Sequence, residues 1–377
     1  MLAINLLIKP ASGNCNLKCK YCFYKDVTEN RKEKNYGIMS HKTLEMLVKR
    51  AFEYANNIVG FAFQGGEPTL AGLDFYKNLI TLQKKYNVKK IRVNNAIQTN
   101  GMVIDDEWAK FLAKNKFLVG LSLDGPKEIH DQNRMNVNGI GSYKRIEKTI
   151  ESFNKYKVQY NILSVISKSV ARHVEKIYKF FSKNNFKYLQ FIPCLDKLGT
   201  EAGNNEYSLT PKAYGDFLKK LFDLWYTDLK SGKRISIRMF DNILQILLGM
   251  HTESCDMSGY CSANLVIEAD GSCYPCDFYA FDTWNMGNIT ESSIKELLQG
   301  DKVKKFVNLG SGIPNDCRKC EFAYICRGGC RRYYEPADAK ALGKNYFCSS
   351  YKDFYQYTIL RFQELTNIVR KYRVASD

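Results

Sequence analysis

Thirteen cysteines carry the clearest chemistry in this chain, at positions 15, 19, 22, 194, 255, 261, 273, 276, 317, 320, 326, 330 and 348. Their odd number and the lack of a secretory leader argue against a disulfide scaffold. Three lie near the N-terminus and nine in the last third, a clustering that suits metal sites. Cys15-x3-Cys19-x2-Cys22 places three thiols on one loop with no fourth nearby. Three thiolates can hold three corners of a four-iron cluster and leave the fourth iron open to a chelating ligand. A closed zinc site would need to borrow a distant fourth ligand. Further on, Cys255, Cys261, Cys276, Cys317, Cys320, Cys326, Cys330 and Cys348 make eight thiols, enough for two closed four-ligand sites of iron–sulfur or zinc-ribbon type. Cys194 reads as a small buried hydrophobe, and Cys273 forms a Cys-x2-Cys with Cys276 and competes as a ligand. A second candidate is Phe63-Gln64-Gly65-Gly66-Glu67-Pro68, whose paired glycines permit close backbone approach beside a carboxylate. Ser122, Asp124 and Arg134 follow near the end of a later strand, and Asp277 directly follows Cys276.

Residues 1–193 must position the first two groups. Short apolar runs predict strands over 4–8, 59–63, 91–98, 117–123, 160–166 and 188–192. Helical periodicity lies between them. Ser40 is the N-cap candidate of a helix whose Leu44, Leu47, Val48, Ala51, Phe52 and Ala55 share one face. Further helices are expected over 73–86, 105–115, 142–156 and 170–184. Six βα units imply an α/β fold, a parallel sheet curved into a partial (β/α)6 TIM-like barrel open on one side. Residues 194–250 read as a connector with a helix over 209–230, a strand over 235–239 and a helix over 241–248. Residues 251–350 form a cysteine-rich domain without apolar periodicity, expected to depend on metal in place of an ordinary core. A final helix over 351–371 lies in a closing segment, 351–377.

The composition fits a folded domain pair. Of 377 residues, 45% are apolar and 25% charged, which excludes a disordered or low-complexity chain. No run approaches ~18 consecutive apolar residues, so no membrane span is expected, and a cytoplasmic location follows. The net charge of +17 comes from scattered lysines and arginines with no run of five, which reads as a solvated basic face and not as a nucleic-acid clamp. Loading eleven cysteines with three clusters would bring the charge to roughly +12.

The cysteine triad after the first strand, together with Gly-Gly-Glu-Pro, resembles the radical S-adenosylmethionine (SAM) superfamily. That resemblance implies that the open iron binds the amino and carboxylate groups of SAM, with Tyr21 flanking the cofactor. It places Gln64, Gly66 and Glu67 in the segment that binds the methionine amino group, Ser122 and Arg134 on the amino-acid or ribose end, and Leu195 near adenine. The C-terminal cysteines resemble the SPASM extension, which implies two auxiliary 4Fe–4S clusters. One would be held by Cys255, Cys261, Cys276 and Cys330, the other by Cys317, Cys320, Cys326 and Cys348. Residues 6–24, 61–73, Gln98-Thr-Asn-Gly101, 117–130 and 274–278 resemble anaerobic sulfatase-maturating enzymes across nearly the whole chain. Such enzymes oxidise a cysteine or serine of an unfolded sulfatase to Cα-formylglycine, and Asp277 matches the family's proposed base. The partners implied are a sulfatase polypeptide and an electron donor such as flavodoxin or ferredoxin, with neither nucleic acid nor membrane. Two enzymatic readings compete: another SPASM peptide maturase that forms thioethers or epimers, and an RNA-modifying radical SAM enzyme. A zinc-binding interaction protein would leave the barrel and Gly-Gly-Glu-Pro unexplained.

Overall fold

A computed structural model describes residues 2–310, 314–334 and 344–374. The last three residues of the expected closing segment lie outside the described residues. The strands are β1 Ala3–Ile8, β2 Ile58–Phe63, β3 Arg92–Thr99, β4 Leu118–Ser122, β5 Gln159–Ile166, β6 Tyr188–Pro193, β7 Ser236–Ile237, β8 Leu265–Ile267, β9 Ser272–Tyr274 and β10 Gly287–Asn288. The longer helices are α1 Phe23–Glu29, α2 His41–Tyr54, α3 Leu73–Tyr86, α4 Asp106–Lys114, α5 Tyr143–Tyr156, α6 Val174–Lys183, α7 Pro211–Lys230, α8 Arg238–Leu247, α9 Ile294–Gln299, α10 Asp301–Gly310 and α11 Cys348–Val374. Caps set several of these ends. Ser40 Oγ accepts from Thr43 N at 3.0 Å, Asp105 Oδ1 from Trp108 N at 3.0 Å, and Thr210 Oγ1 from Ala213 N at 3.3 Å.

Two compact units share the chain. The first comprises the described residues of Met1–Leu123, His130–Asn161 and Ser262–Asn308; the second comprises those of Asp124–Ile129, Ile162–Cys261 and Leu309–Asp377. In the first unit the strand order is β10-β9-β8-β1-β2-β3-β4, with β8, β1, β2, β3 and β4 mutually parallel where they pair. Strands β9 and β10 are antiparallel additions. Ile8 is in register with both Phe63 and Ile267, so β1, β2 and β8 end level with one another. One face of this sheet is aromatic and covered: Phe61 meets Phe52 of α2 at 6.0 Å, and Phe63 meets Tyr76 of α3 at 5.1 Å. On the other face Asn5 lies against Gly60 and Gln98 against Gly120, where no side chain would fit.

Residues 262–308 correct the expectation of a coreless C-terminal third. Leu265, Val266, Ile267, Tyr274, Ile289, Ile294, Leu297, Val303 and Phe306 are all buried. Val266, Tyr274 and Ala280 receive Tyr24 and Val27 of α1, which docks that short helix immediately after Cys22. The strands here are two or three residues long, too short to show a period.

In the second unit β5, β6 and β7 run parallel, with Ile162↔Leu189 and Leu189↔Ile237 in register. Its core is aromatic: Phe222 packs on Phe240 and Phe362, and Trp225 donates Nε1–H to the carbonyl of Ile235 at 2.8 Å. Two expectations change here. The helix expected over 170–184 divides into Lys168–Ala171 and α6. The strand expected over 235–239 shortens to two residues because Arg238 already opens α8, whose Phe240, Ile243 and Ile246 form a buried stripe. No helix among the described residues is long and apolar enough to cross a membrane.

Candidate active site

Within the first unit, the cysteine loop follows β1 and is fixed by backbone bonds. Lys18 N donates to Met135 O at 2.7 Å, Lys20 N to Asn133 O at 3.1 Å, and Glu67 N to Asn14 O at 2.7 Å. Desolvation, partly offset by the N–H of Leu17 and joined by the charges of Glu67, Cys19 and Cys22, pushes the Cys15 thiol up to about 12. Three thiols carried on this one loop are a donor set that suits a four-iron cluster with one iron left open. Asn100 Nδ2 lies 3.7 Å from Cys15 Sγ and 2.7 Å from Asn16 Oδ1, which steadies the loop from the end of β3.

Gly66 lies directly on this loop. Its φ is +48°, and a Cβ there would stand 2.3 Å from Asn14 O and 2.6 Å from Ser12 O. Glu67 is buried, and its carboxylate accepts from Thr69 N at 3.0 Å, Thr69 Oγ1 at 2.6 Å, Thr99 Oγ1 at 2.7 Å and Asn100 N at 2.7 Å. Burial raises its pKa, and these donors work in the opposite direction. Glu67 therefore ties the end of β2 to the end of β3. Arg134 is buried with its guanidinium 5.4 Å from the Tyr21 ring centroid, so these two expected cofactor residues meet. Ser122 Oγ accepts from Gln98 Nε2 at 3.1 Å. Leu195 is buried in the second unit.

Asp277 belongs to the first unit, in the short turn that follows Cys276. Its carboxylate pairs with Lys9 through Oδ1 and accepts from Gln64 Nε2 through Oδ2 at 2.5 Å. Lys9, Gln64 and Glu268 are each the first residue after the level ends of β1, β2 and β8. Parallel sheets gather ligands at such carboxyl ends. Phe278 meets Phe23 of α1 at 4.9 Å, so the helix that follows Cys22 also braces the Asp277 turn. Tyr24 donates its hydroxyl to Glu268, and Arg31 Nη1 lies 2.7 Å from Glu268 Oε1.

The remaining thiols lie mostly in the second unit. Cys317, Cys320, Cys326 and Cys348 line one cavity of ≈ 270 Å³ with Phe322 and Tyr355. Desolvation, and then the charges of Cys348, Cys317 and Cys320, push Cys326 up to about 11. Four thiols around one cavity fit a closed four-ligand site. Cys255, Cys261 and Cys330 also belong to this unit; desolvation, then the charges of Asp256 and Cys261, raises Cys255. Cys276 belongs to the first unit. Cys273 is fully buried in β9 with its thiol 3.4 Å from Gly271 O, and Cys194 is buried with its thiol 3.5 Å from Tyr207 O.

Sequence reading missed Lys9, Tyr24, Asn100 and Glu268. Lys9 and Glu268 carry one faint signal each, a charged residue directly after an apolar strand run. Nothing in the spacing joins residues 268 positions apart.

The Radical SAM superfamily model matches residues 10–181, and an iron-sulfur cluster-binding domain model, SPASM, matches residues 255–321. The cysteine-type anaerobic sulfatase-maturating enzyme of Clostridium perfringens is 50% identical over 98% of this chain and 100% of its own. The serine-type enzyme of Bacteroides thetaiotaomicron is 32% identical over 93% of this chain and 88% of its own. The solved structure of native anSMEcpe with bound AdoMet and Cp18Cys peptide superimposes with a TM-score of 0.94 at 50% identity, covering 98% of this chain and all of that one. A partial radical SAM barrel joined to a cysteine-rich iron–sulfur domain, with three 4Fe–4S clusters and SAM as cofactors, is thus the architecture of this protein. The chain belongs to the anaerobic sulfatase-maturating enzymes of the radical SAM superfamily.

Proposed function

We propose that this enzyme oxidises a cysteine of a sulfatase polypeptide to Cα-formylglycine, with Asp277 as the proton acceptor. Full-length similarity to a cysteine-type relative, at 50% against 32% for the serine-type one, carries the choice of cysteine. A neighbouring structure solved with a bound peptide supports a polypeptide substrate. When bound, the clusters and SAM supply a 5′-deoxyadenosyl radical to take one Cβ hydrogen and a place for the second electron to go. Asp277 takes the thiol proton, so one hydrogen atom, one proton and one electron leave together. Water then converts the thioaldehyde to the aldehyde and releases hydrogen sulfide. Cys15, Cys19 and Cys22 hold the first cluster. Cys317, Cys320, Cys326 and Cys348 hold one of the auxiliary pair. Tyr21, Gly66, Ser122 and Arg134 face SAM, while Gln64 and Glu67 shape its surroundings. A flavodoxin- or ferredoxin-type protein supplies the electron.

The carrying observation at the site is the Asp277 carboxylate, held by Lys9 and Gln64 on the turn after Cys276. Asp277→Asn keeps the shape and removes the proton acceptor, so formylglycine formation should fall by ~10²–10⁴-fold. Iron content should be unchanged, and 5′-deoxyadenosine should still form, uncoupled from product. Mass spectrometry of a Cys-x-Pro-x-Arg peptide incubated anaerobically with SAM, read beside 5′-deoxyadenosine, decides the matter. Both products at wild-type rates would remove Asp277 from the chemistry.

A further inference from the structure

We propose that Lys9 is the positioning residue of the Asp277 carboxylate, lodged beside Gly65, whose φ of +88° already favours glycine. The proposal rests on Asp277 being the proton acceptor. Lys9 has no exposed side-chain surface, whereas Asp277 retains 13% exposure and so stays open to a substrate. A buried ammonium must be paired. Among the carboxylates at this end of the sheet, Glu67 is taken by Thr69, Thr99 and Asn100, Glu268 Oε1 by Arg31 and Tyr24, and Asp277 takes the lysine.

The lysine is itself held on several sides. Its backbone N–H donates to Ile267 O at 2.8 Å, which fixes its root between β1 and β8. Its stem fills the space beside Gly65, where a Cβ would stand 2.8 Å from Lys9 Cγ and 2.8 Å from Nζ. Its ammonium lies 3.7 Å from the centroid of the Tyr24 ring. The hydroxyl of that ring is anchored by Glu268, and Glu268 by Arg31. With Lys9 on Oδ1 and Gln64 on Oδ2, the carboxylate is held against rotation, and each oxygen keeps a lone pair for the incoming thiol. A proton acceptor must be fixed within a fraction of an ångström of its donor, since a 1 Å error can cost about 10²-fold in rate.

The test is a cycle of Lys9→Met, Asp277→Asn and the double variant, each reconstituted with iron anaerobically. For each, iron content, 5′-deoxyadenosine and formylglycine are measured on one peptide. Lys9→Met should load iron fully, still form 5′-deoxyadenosine, and make formylglycine about 10–10²-fold more slowly, with the ratio of the two products rising by the same factor. The double variant should equal Asp277→Asn, because Lys9 acts only through that carboxylate. A wild-type product ratio in Lys9→Met overturns the proposal. If the single variant fails to load iron, the double variant decides, because it leaves no carboxylate without its lysine: equality with Asp277→Asn supports the proposal, and a further loss of iron or product overturns it. Wild-type turnover in Asp277→Asn would instead defeat the reading on which this rests. Impaired Asp277→Asn beside normal Lys9→Met would defeat the lysine proposal alone.

Discussion

At Gly66 a hydrogen in place of a side chain decides whether the turn after β2 can lie on the cysteine loop. Its near neighbours are the carbonyls of Ser12 and Asn14, and backbone cannot step aside as a flexible side chain would. Gly66→Ala should lift the turn, break the Glu67 N–Asn14 O bond and lower bound iron by about four atoms per chain. Iron analysis beside 5′-deoxyadenosine formation checks this; full iron with normal SAM cleavage would contradict it. Glu67 invites a different expectation. Its four donors face a carboxylate, so Glu67→Gln turns an amide NH₂ toward at least one of them and should cost about 1–3 kcal/mol in denaturant unfolding. The Gly-Gly-Glu-Pro turn was legible from its residue types. The use of Glu67 was not, because Thr99 and Asn100 reach it from another strand and no local spacing announces them.

Elements were legible where they were long enough to repeat. The helix at 73–86 was read at its observed limits, and Ser40 capped its helix as expected, since fourteen residues show the 3.6-residue period several times over. Strands β8, β9 and β10 have two or three residues each, and their burial comes from partners distant in sequence. Hence 262–308 was misread as coreless. The difference has a measurable consequence. Stripping iron with a chelator should unprotect the amides of 314–334, where Cys317, Cys320 and Cys326 line a cavity and few apolar side chains are buried. The amides of β8 should stay protected, because Leu265, Val266 and Ile267 are held by β1 and buried without metal. Hydrogen exchange with residue-range resolution distinguishes the two. Equal loss in both segments would mean that metal also maintains 262–308.

For the whole molecule, three clusters predict about twelve iron atoms per chain. Replacing Cys15, Cys19 and Cys22 together with alanine should leave about eight and abolish SAM cleavage, and a triple variant with all its iron would sink the assignment. Six βα repeats announced the parallel α/β class, because each repeat signals itself locally. The partition into two units did not show in the sequence, because the chain passes between them at 123/124, 129/130, 161/162, 261/262 and 308/309, and no composition shift marks those points. That interleaving has a consequence in time. A ribosome adding roughly 5–20 residues per second takes some tens of seconds between β1 and the β8 strand that completes its far edge. Through that interval the nascent chain already carries Cys15, Cys19 and Cys22 but not Asp277. A protein cut short before residue 262 would therefore keep the triad and lack Asp277, the proton acceptor proposed above.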